Sequence, residues 1–160
     1  MSLEGQRVVI IGGTSGIGRA VAQAALAAGA SAHIGSSNAD KLKAALALLG
    51  TGATGATINV CDEGSVEAFF ADHAAFDHIV VSAAVTPIAS VRDLSLADAR
   101  GAMESKFWGA YHVARAAKLT ERGSLTLVSG FLAGRPAAGA ARPALTHARC
   151  IIRRPPCSRA

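Results

Sequence analysis

A glycine-rich loop near the start of the chain is the segment whose residue types suggest chemistry. It follows four consecutive branched apolar residues and reads Gly12-Gly13-Thr14-Ser15-Gly16-Ile17-Gly18. Glycine at 12 permits a tight turn, glycine at 16 lets the backbone approach a ligand closely, and glycine at 18 allows a helix to pack tightly on a strand. The N–H groups at the start of the following helix, at the positive end of its dipole, can then hold a phosphate.

Three interpretations of this loop are open. A mononucleotide-binding P-loop would require Lys and then Ser or Thr after the last glycine, where this sequence has Arg19 and Ala20. A turn with a purely structural role is the second interpretation. A dinucleotide-binding site is the third, and it is favoured because the loop joins a strand to a helix within a complete βαβ unit.

The segments around the loop alternate between strand and helix patterns. Strands are predicted at 7–11, 31–35, 55–60, 77–84 and 124–130. Helices are predicted from the loop to 29, from 38 to 50, over 63–76 and over 95–118. The first helix is expected to bury Ile17, Val21 and Ala25, and the last helix to bury Met103, Ala110 and Ala114. Five strands alternating with four helices, on connections long enough for right-handed crossovers, predict an α/β fold with a doubly wound parallel sheet.

The loop spacing Gly12-x-x-x-Gly16-x-Gly18 resembles that of the short-chain dehydrogenase/reductase family, and the resemblance covers residues 5–140. The segment "FDHIVVSAA" is similar to the family's fourth strand, which usually ends Asn-Asn-Ala-Gly and here ends Val-Ser-Ala-Ala. "NVCDEGSV" resembles the end of its third strand, and "SLTLVSG" its fifth strand. The resemblance implies a Rossmann fold for an NAD(P)-binding domain over residues 1–140, incomplete at its C-terminal end.

The resemblance also implies a cofactor site at the loop and at the ends of three strands. The expected cofactor-binding residues are Gly12, Thr14, Ser15, Gly16, Ile17, Gly18, Ser36, Ser37, Asn59, Val60, Ser82 and Ala83. A carboxylate at the end of the second strand would bind the ribose 2′-OH and repel a 2′-phosphate, but no acid precedes Asp40 there. Hydroxyls and a helix N-terminus can take a phosphate, so NADP is favoured over NAD, although no arginine stands where NADP-preferring relatives often have one. The same residues also fit a simple helix cap.

In this family a tyrosine, a lysine four residues later and a serine carry out proton transfer and polarise the substrate carbonyl. Ser129 stands at the serine position, where it is either catalytic or a polar residue at a strand end. The stretch expected to supply the other two, "GRPAAGAARPALTHARC", contains neither tyrosine nor lysine. Tyr111, with Arg115 four residues later, is predicted to be a packing residue. Lys106, at the family's usual asparagine position, is predicted to face solvent, the alternative being a cation near the site.

The composition changes after residue 140. Residues 1–140 carry eleven basic and eleven acidic side chains, whereas residues 141–160 carry five arginines, no acid and two of the three cysteines. We therefore expect an irregular basic tail at 141–160 and a truncated chain, most simply through a frame shift near residue 140. The rival interpretation is a nucleic-acid-binding tail, but no aromatic residue or recognition motif accompanies the arginines.

The sequence as a whole predicts an NAD(P)-dependent oxidoreductase that acts on a small carbonyl or alcohol substrate and is impaired by truncation. The alternative is a module that binds NADP(H) without turnover. The cysteine spacing predicts no metal site, and no apolar run is long enough to span a membrane. We expect a cytoplasmic protein without a nucleic-acid partner, and the resemblance implies a homo-oligomer that associates through helix 95–118.

Overall fold

A parallel sheet of five strands forms the centre of the molecule, with strand order β3-β2-β1-β4-β5. The computed structural model describes residues 2–84 and 92–130. The strands are β1 Arg7–Ile11, β2 Ser31–Ser36, β3 Ala53–Thr57, β4 Phe76–Val81 and β5 Leu119–Leu127. Helices cover both faces of the sheet, so the predicted α/β fold with a doubly wound parallel sheet is confirmed. The predicted domain end at 140 and the tail 141–160 lie outside the described residues.

Five helices connect the strands within the described residues: α1 Gly16–Ala27, α2 Ala39–Leu49, α3 Glu63–Ala71, α4 Leu96–Met103 and α5 Gly109–Ala116. A π-helical turn, Glu104–Trp108, joins α4 to α5, so the single helix predicted over 95–118 is interrupted. Ser95 caps the start of α4, since its Oγ accepts a hydrogen bond from the Asp98 amide at 3.0 Å. No helix in the described parts of the chain is long and apolar enough to cross a membrane.

The core consists of two apolar layers, one on each face of the sheet. Side chains alternate along β1, so Val8 and Ile10 face α1 and α2 while Val9 and Ile11 face α3 and α5. All four are almost completely buried, as expected of a central parallel strand. The layer under α3 contains the large aromatic side chains Phe69, Phe70 and Phe76. This burial fixes the position of β1 and therefore of the loop that follows it.

Several predicted boundaries are wrong, including the ends of two strands: β4 ends at Val81 rather than at 84, and β5 at Leu127 rather than at 130. Helix α3 ends at Ala71 rather than at 76, because Phe76 is the first residue of β4 and pairs with Leu119. Strand β5 begins at 119, five residues before its predicted start, for the same reason. Strand β3 covers 53–57 rather than 55–60. In each case pairing within the sheet overrides the local sequence preference.

The buried stripes of two helices are also wrong. Of the stripe predicted for α1, Ile17 is 62% exposed and Val21 is half-buried; only Ala25 is buried as predicted, together with Gly18 and Ala22. Met103 is exposed, and the α4–α5 segment instead buries small side chains together with Val113: Ala102, Ser105, Gly109 and Val113. At Gly18 and Gly109 these helices pack so closely against the segments that follow β1 and β3 that a side chain would not fit. A Cβ on Gly109, for example, would lie 2.8 Å from Val60 Cγ2.

Candidate functional site

A cavity of about 420 Å³ opens where the carboxyl ends of the strands meet. The glycine loop, the ends of β2, β3 and β4, and Ser105 and Val128 line it. All twelve residues predicted to bind the cofactor lie on this lining. Ser129, the predicted catalytic residue, is exposed and follows Val128 directly, but does not itself line the cavity.

Backbone hydrogen bonds hold the glycine loop from both sides. The Gly12 amide donates to the Gly35 carbonyl at the end of β2, at 2.8 Å. At the end of β4, the Ser82 hydroxyl donates to the Gly12 carbonyl at 3.1 Å, and the Ala83 amide donates to the Ile11 carbonyl at 3.0 Å. The serine that replaces the family's usual asparagine therefore connects β4 to the loop.

The glycines of the loop meet different steric demands. Gly12 has φ +91°, a backbone conformation that residues with a side chain rarely adopt. Gly18 packs so closely against the loop that an added Cβ would lie 2.1 Å from the Gly12 carbonyl oxygen. Gly16 has φ +51°, and an added Cβ there would have no atom within 4 Å. Gly12 and Gly18 are thus required by the fold, whereas Gly16 faces open space at the cavity.

Helix α1 begins at the cavity without a side-chain cap. Its N-cap residue, Ser15, has an extended backbone, and its hydroxyl accepts no hydrogen bond from the first turn. Helices α2 and α3, which follow β2 and β3 in the chain, have side-chain caps, Asn38 and Asp62 respectively. The first-turn N–H groups of α1 therefore remain open to a ligand, and the helix dipole adds positive potential there.

The end of β2 combines a helix cap with a cation. Ser36 Oγ accepts from the Asn38 amide at 3.2 Å, and Asn38 Oδ1 accepts from the Lys41 amide at 2.8 Å. The helix-cap interpretation of this segment is therefore correct for Asn38. Lys41 also lines the cavity together with Ser36 and Ser37, and sequence reasoning missed it. The signal was its position in the first turn of α2, one turn after the end of the strand.

The end of β3 places polar and apolar groups side by side. Asn59 Oδ1 accepts from the Cys61 amide at 3.1 Å, and the Asn59 amide donates to Ser65 Oγ at 3.0 Å. The Val60 carbonyl lies 3.0 Å from His112 Nδ1 on α5. Burial and the nearby Glu104 carboxylate raise the pKa of the Cys61 thiol, which also lines the cavity. The thiol is therefore kept in its neutral form.

Lys106 lies against the end of β5, and the prediction that it faces solvent is wrong. Its Nζ donates to the Val128 carbonyl at 2.6 Å, and burial lowers the pKa of the ammonium.

Tyr111, predicted to be a packing residue, is 51% exposed, with its ring against Trp108. Arg115 forms an ion pair with Glu63 at 2.7 Å, so Tyr111 and Arg115 do not form a catalytic pair. Within residues 2–84 and 92–130, no group of three His, Cys, Asp or Glu side chains could hold a metal.

Comparison with known proteins agrees with the topology and the loop. Residues 6–138 match the sequence profile of the family described as short chain dehydrogenase. A solved structure described as a short chain dehydrogenase/reductase family protein is 30% identical and superposes with a TM-score of 0.84, covering 92% of this chain and 64% of its own. A protein described as a candidate betaketoacyl-ACP reductase is 27% identical, with a TM-score of 0.82, covering 91% of this chain and 63% of its own.

A third structure, a short-chain type dehydrogenase/reductase from Mycobacterium ulcerans, is 23% identical and has a TM-score of 0.81. It covers 91% of this chain and 59% of its own, and at this identity it supports the fold alone. The chain thus spans less than two thirds of the length of the relatives that it matches.

Proposed function

Because the chain belongs to the short-chain dehydrogenase/reductase family, we propose that it binds a nicotinamide dinucleotide in the cavity at the strand ends. We propose further that the site belongs to an oxidoreductase of a small carbonyl or alcohol substrate. The observation that carries the proposal is the uncapped start of α1 beside the open space at Gly16. Free N–H groups at a helix N-terminus, next to a residue without a side chain, suit a pyrophosphate.

The other lining residues fit the remainder of such a cofactor. Asn59 and Val60 offer an amide and an apolar side chain for the adenine, on the far side of the loop from β4. Ser82 and Ala83, at the end of β4, lie towards the nicotinamide end. The loop itself needs no rearrangement for this role, because its hydrogen bonds to β2 and β4 already hold it in place.

The cation at the end of β2 supports NADP as the cofactor. Lys41 can pair with a 2′-phosphate, and the hydroxyl groups of Ser36 and Ser37 can donate to it. No carboxylate lines the cavity in the described residues, so none of them opposes the phosphate there. The expected preference is for NADP(H) over NAD(H).

The reaction would occur at the ends of β4 and β5. When bound, the nicotinamide supplies or accepts a hydride. Ser129 is the residue of this chain that we expect to donate a hydrogen bond to the substrate oxygen, since it directly follows a residue of the cavity wall. A module that binds the cofactor without turnover is the competing function, and the wild-type assay below separates the two.

A first experiment tests cofactor binding with the matched variants Gly16→Ala and Gly5→Ala. Both glycines have positive φ and open space around an added Cβ, but only Gly16 lines the cavity. Calorimetric titration with NADPH should give a Kd raised about tenfold, equivalent to about 1.4 kcal/mol, in Gly16→Ala alone. Equal affinity in the two variants, or no binding to the wild type, would refute the site.

A second experiment tests the cofactor preference with Lys41→Gln and Lys43→Gln. Both lysines are exposed on α2, but only Lys41 lines the cavity. Lys41→Gln should weaken NADPH binding about tenfold and leave NADH binding unchanged. Lys43→Gln should change neither. An equal loss for both cofactors would remove Lys41 from the phosphate subsite.

Turnover is tested by following NADPH oxidation against a panel of small carbonyl compounds. Activity that falls in Ser129→Ala supports the oxidoreductase, whereas NADPH binding without oxidation across the panel supports the binding module.

Association of two copies through helix 95–118 also stays a prediction. Its outer face carries the exposed rings of Phe107, Trp108 and Tyr111, and sedimentation velocity would measure it.

A further inference from the structure

The backbone of Val128 is held on both sides, at its amide and at its carbonyl. The Val128 amide continues the sheet by donating to the Val81 carbonyl at 2.9 Å. The Val128 carbonyl accepts from Lys106 Nζ at 2.6 Å. Since Val128 lines the cavity, these two hydrogen bonds fix the piece of wall that precedes Ser129.

The π-helical turn brings Lys106 to this position. Such turns insert one residue into a helix and occur frequently at functional sites. Here the turn contains both Ser105, which is buried and lines the cavity, and Lys106, which reaches the end of β5. Gly109, directly after the turn, packs against Val60, so the helix is fixed to the sheet at that point.

The environment of the Lys106 ammonium is unusual for a lysine. The side chain is half-buried, and burial lowers its pKa. The one ion pair among the described residues joins Arg115 to Glu63, so no carboxylate described in the structure contacts Lys106. An ammonium that has lost part of its hydration, and that binds a carbonyl oxygen, polarises that peptide and makes its N–H a stronger donor.

We propose that Lys106 is a positioning residue of the site: its ammonium holds the Val128 carbonyl and so fixes the orientation in which Ser129 meets the substrate oxygen. This inference rests on the proposed function, in which Ser129 donates a hydrogen bond to the substrate oxygen. The charge of Lys106 then favours substrates whose oxygen gains negative charge at the end of β5. Lys106 acts through Ser129 and forms no bond to the substrate.

The test compares Lys106→Met and Lys106→Arg with the matched control Lys118→Met. Lys118 Nζ also donates to a backbone carbonyl, that of Ala71 at 3.2 Å, on the exposed surface away from the cavity. The first readout needs no cofactor: the carbonyl ¹³C shift of Val128 and the amide ¹⁵N shift of Ser129 are followed against pH. Both should titrate together with a midpoint below the usual lysine value of 10.5. The titration should vanish in Lys106→Met and persist in Lys118→Met.

The second readout is kinetic. Lys106→Met should bind NADPH with unchanged affinity but lose about tenfold or more in kcat, Lys106→Arg should recover part of it, and Lys118→Met should match the wild type. If Lys106→Met fails to fold, the titration in the wild type and the kcat of Lys106→Arg decide. If the wild type does not bind NADPH, the proposed function is overturned, whatever the titration shows. Three results would each overturn the role of Lys106. They are normal NADPH binding with no turnover in the wild type, an unchanged kcat in Lys106→Met, and a Val128 shift that does not titrate.

Discussion

His33 should make the stability of the fold depend on pH. Its ring lies in an aromatic cluster, with centroid distances of 5.5 Å to Phe69 and 4.6 Å to His73. Nδ1 is hydrogen-bonded to Thr54 Oγ1 at 2.8 Å, whereas Nε2 is buried without a partner in the described structure. Burial, followed by the charges of His73 and Arg7, lowers the pKa of His33 from 6.5 to about 4.

The direction of the effect follows from the two pKa values. In the unfolded chain His33 takes up a proton near pH 6.5, whereas in the fold it stays neutral until about pH 4. Between these values the unfolded state binds more protons, so the free energy of unfolding falls as the pH falls. A shift of this size corresponds to about 3 kcal/mol if fully expressed. Because the ring is only partly buried, solvent screening reduces the expected loss to about 1–2 kcal/mol.

The assay is urea unfolding of the wild type and of His33→Phe at several pH values from 7.5 to 4.5. The phenylalanine ring keeps the aromatic contacts but cannot be protonated. The variant should therefore lose about 1–2 kcal/mol less than the wild type over this range. An NMR titration of the His33 ring supplies the folded pKa directly. Equal losses in the two proteins, or a folded pKa near 6.5, would refute the reasoning.

Three further substitutions test the packing and the caps. Gly18→Ala should prevent stable folding, because the new Cβ would lie 2.1 Å from the Gly12 carbonyl oxygen, and a cooperative thermal transition near that of the wild type would contradict this. Phe70→Ala removes a fully buried ring and should lower the free energy of unfolding by about 3–5 kcal/mol in urea titrations. Asp62→Ala removes the α3 cap and should cost about 1 kcal/mol by the same measurement, whereas no change would mean that the 3.2 Å bond to the Ser65 amide is replaced by water.

The parts of the fold that turn chemistry specifies could be predicted from the sequence. Strand β1 has the predicted bounds, because a run of branched apolar residues that ends at a glycine pair permits few alternatives. Helix α2 begins after Asn38 and ends before Gly50, as its capping residues predicted. The order of the strands in the sheet does not follow from such local signals, since it depends on which buried strands pair.

The burial of the helices could not be predicted from hydrophobicity. The stripes through Ile17 and Met103 both start from a bulky apolar residue, and both lie largely one residue away from the buried face; of the predicted residues only Ala25 is buried. Close approach of a helix to the sheet favours residues without large side chains, and a hydropathy pattern ranks glycine and serine below isoleucine and methionine. A face of glycine, alanine and serine at helical spacing is therefore the better signal of contact with the sheet wherever a glycine loop precedes the helix.

The same geometry explains which site residues sequence reasoning could reach. Strand β1 lies between β2 and β4, so the chain leaves its end in one direction and later returns on the other side, and a cavity opens between the two connections. Residues at the end of a strand or directly after it, such as Ser36 and Ser82, can be predicted once the strand itself has been predicted. Lys41 reaches the same cavity from the first turn of α2, whereas Ser105 reaches it, and Lys106 reaches its wall, from the π-helical turn. The position of Lys41 in the first turn after β2 is a local signal, whereas those of Ser105 and Lys106 depend on a π-helical turn that the apolar pattern of the segment does not predict. In chains of this topology, charged and polar residues at two kinds of position are therefore candidates for the site. One is the first helical turn after a strand end, and the other is beside a helical glycine that packs closely.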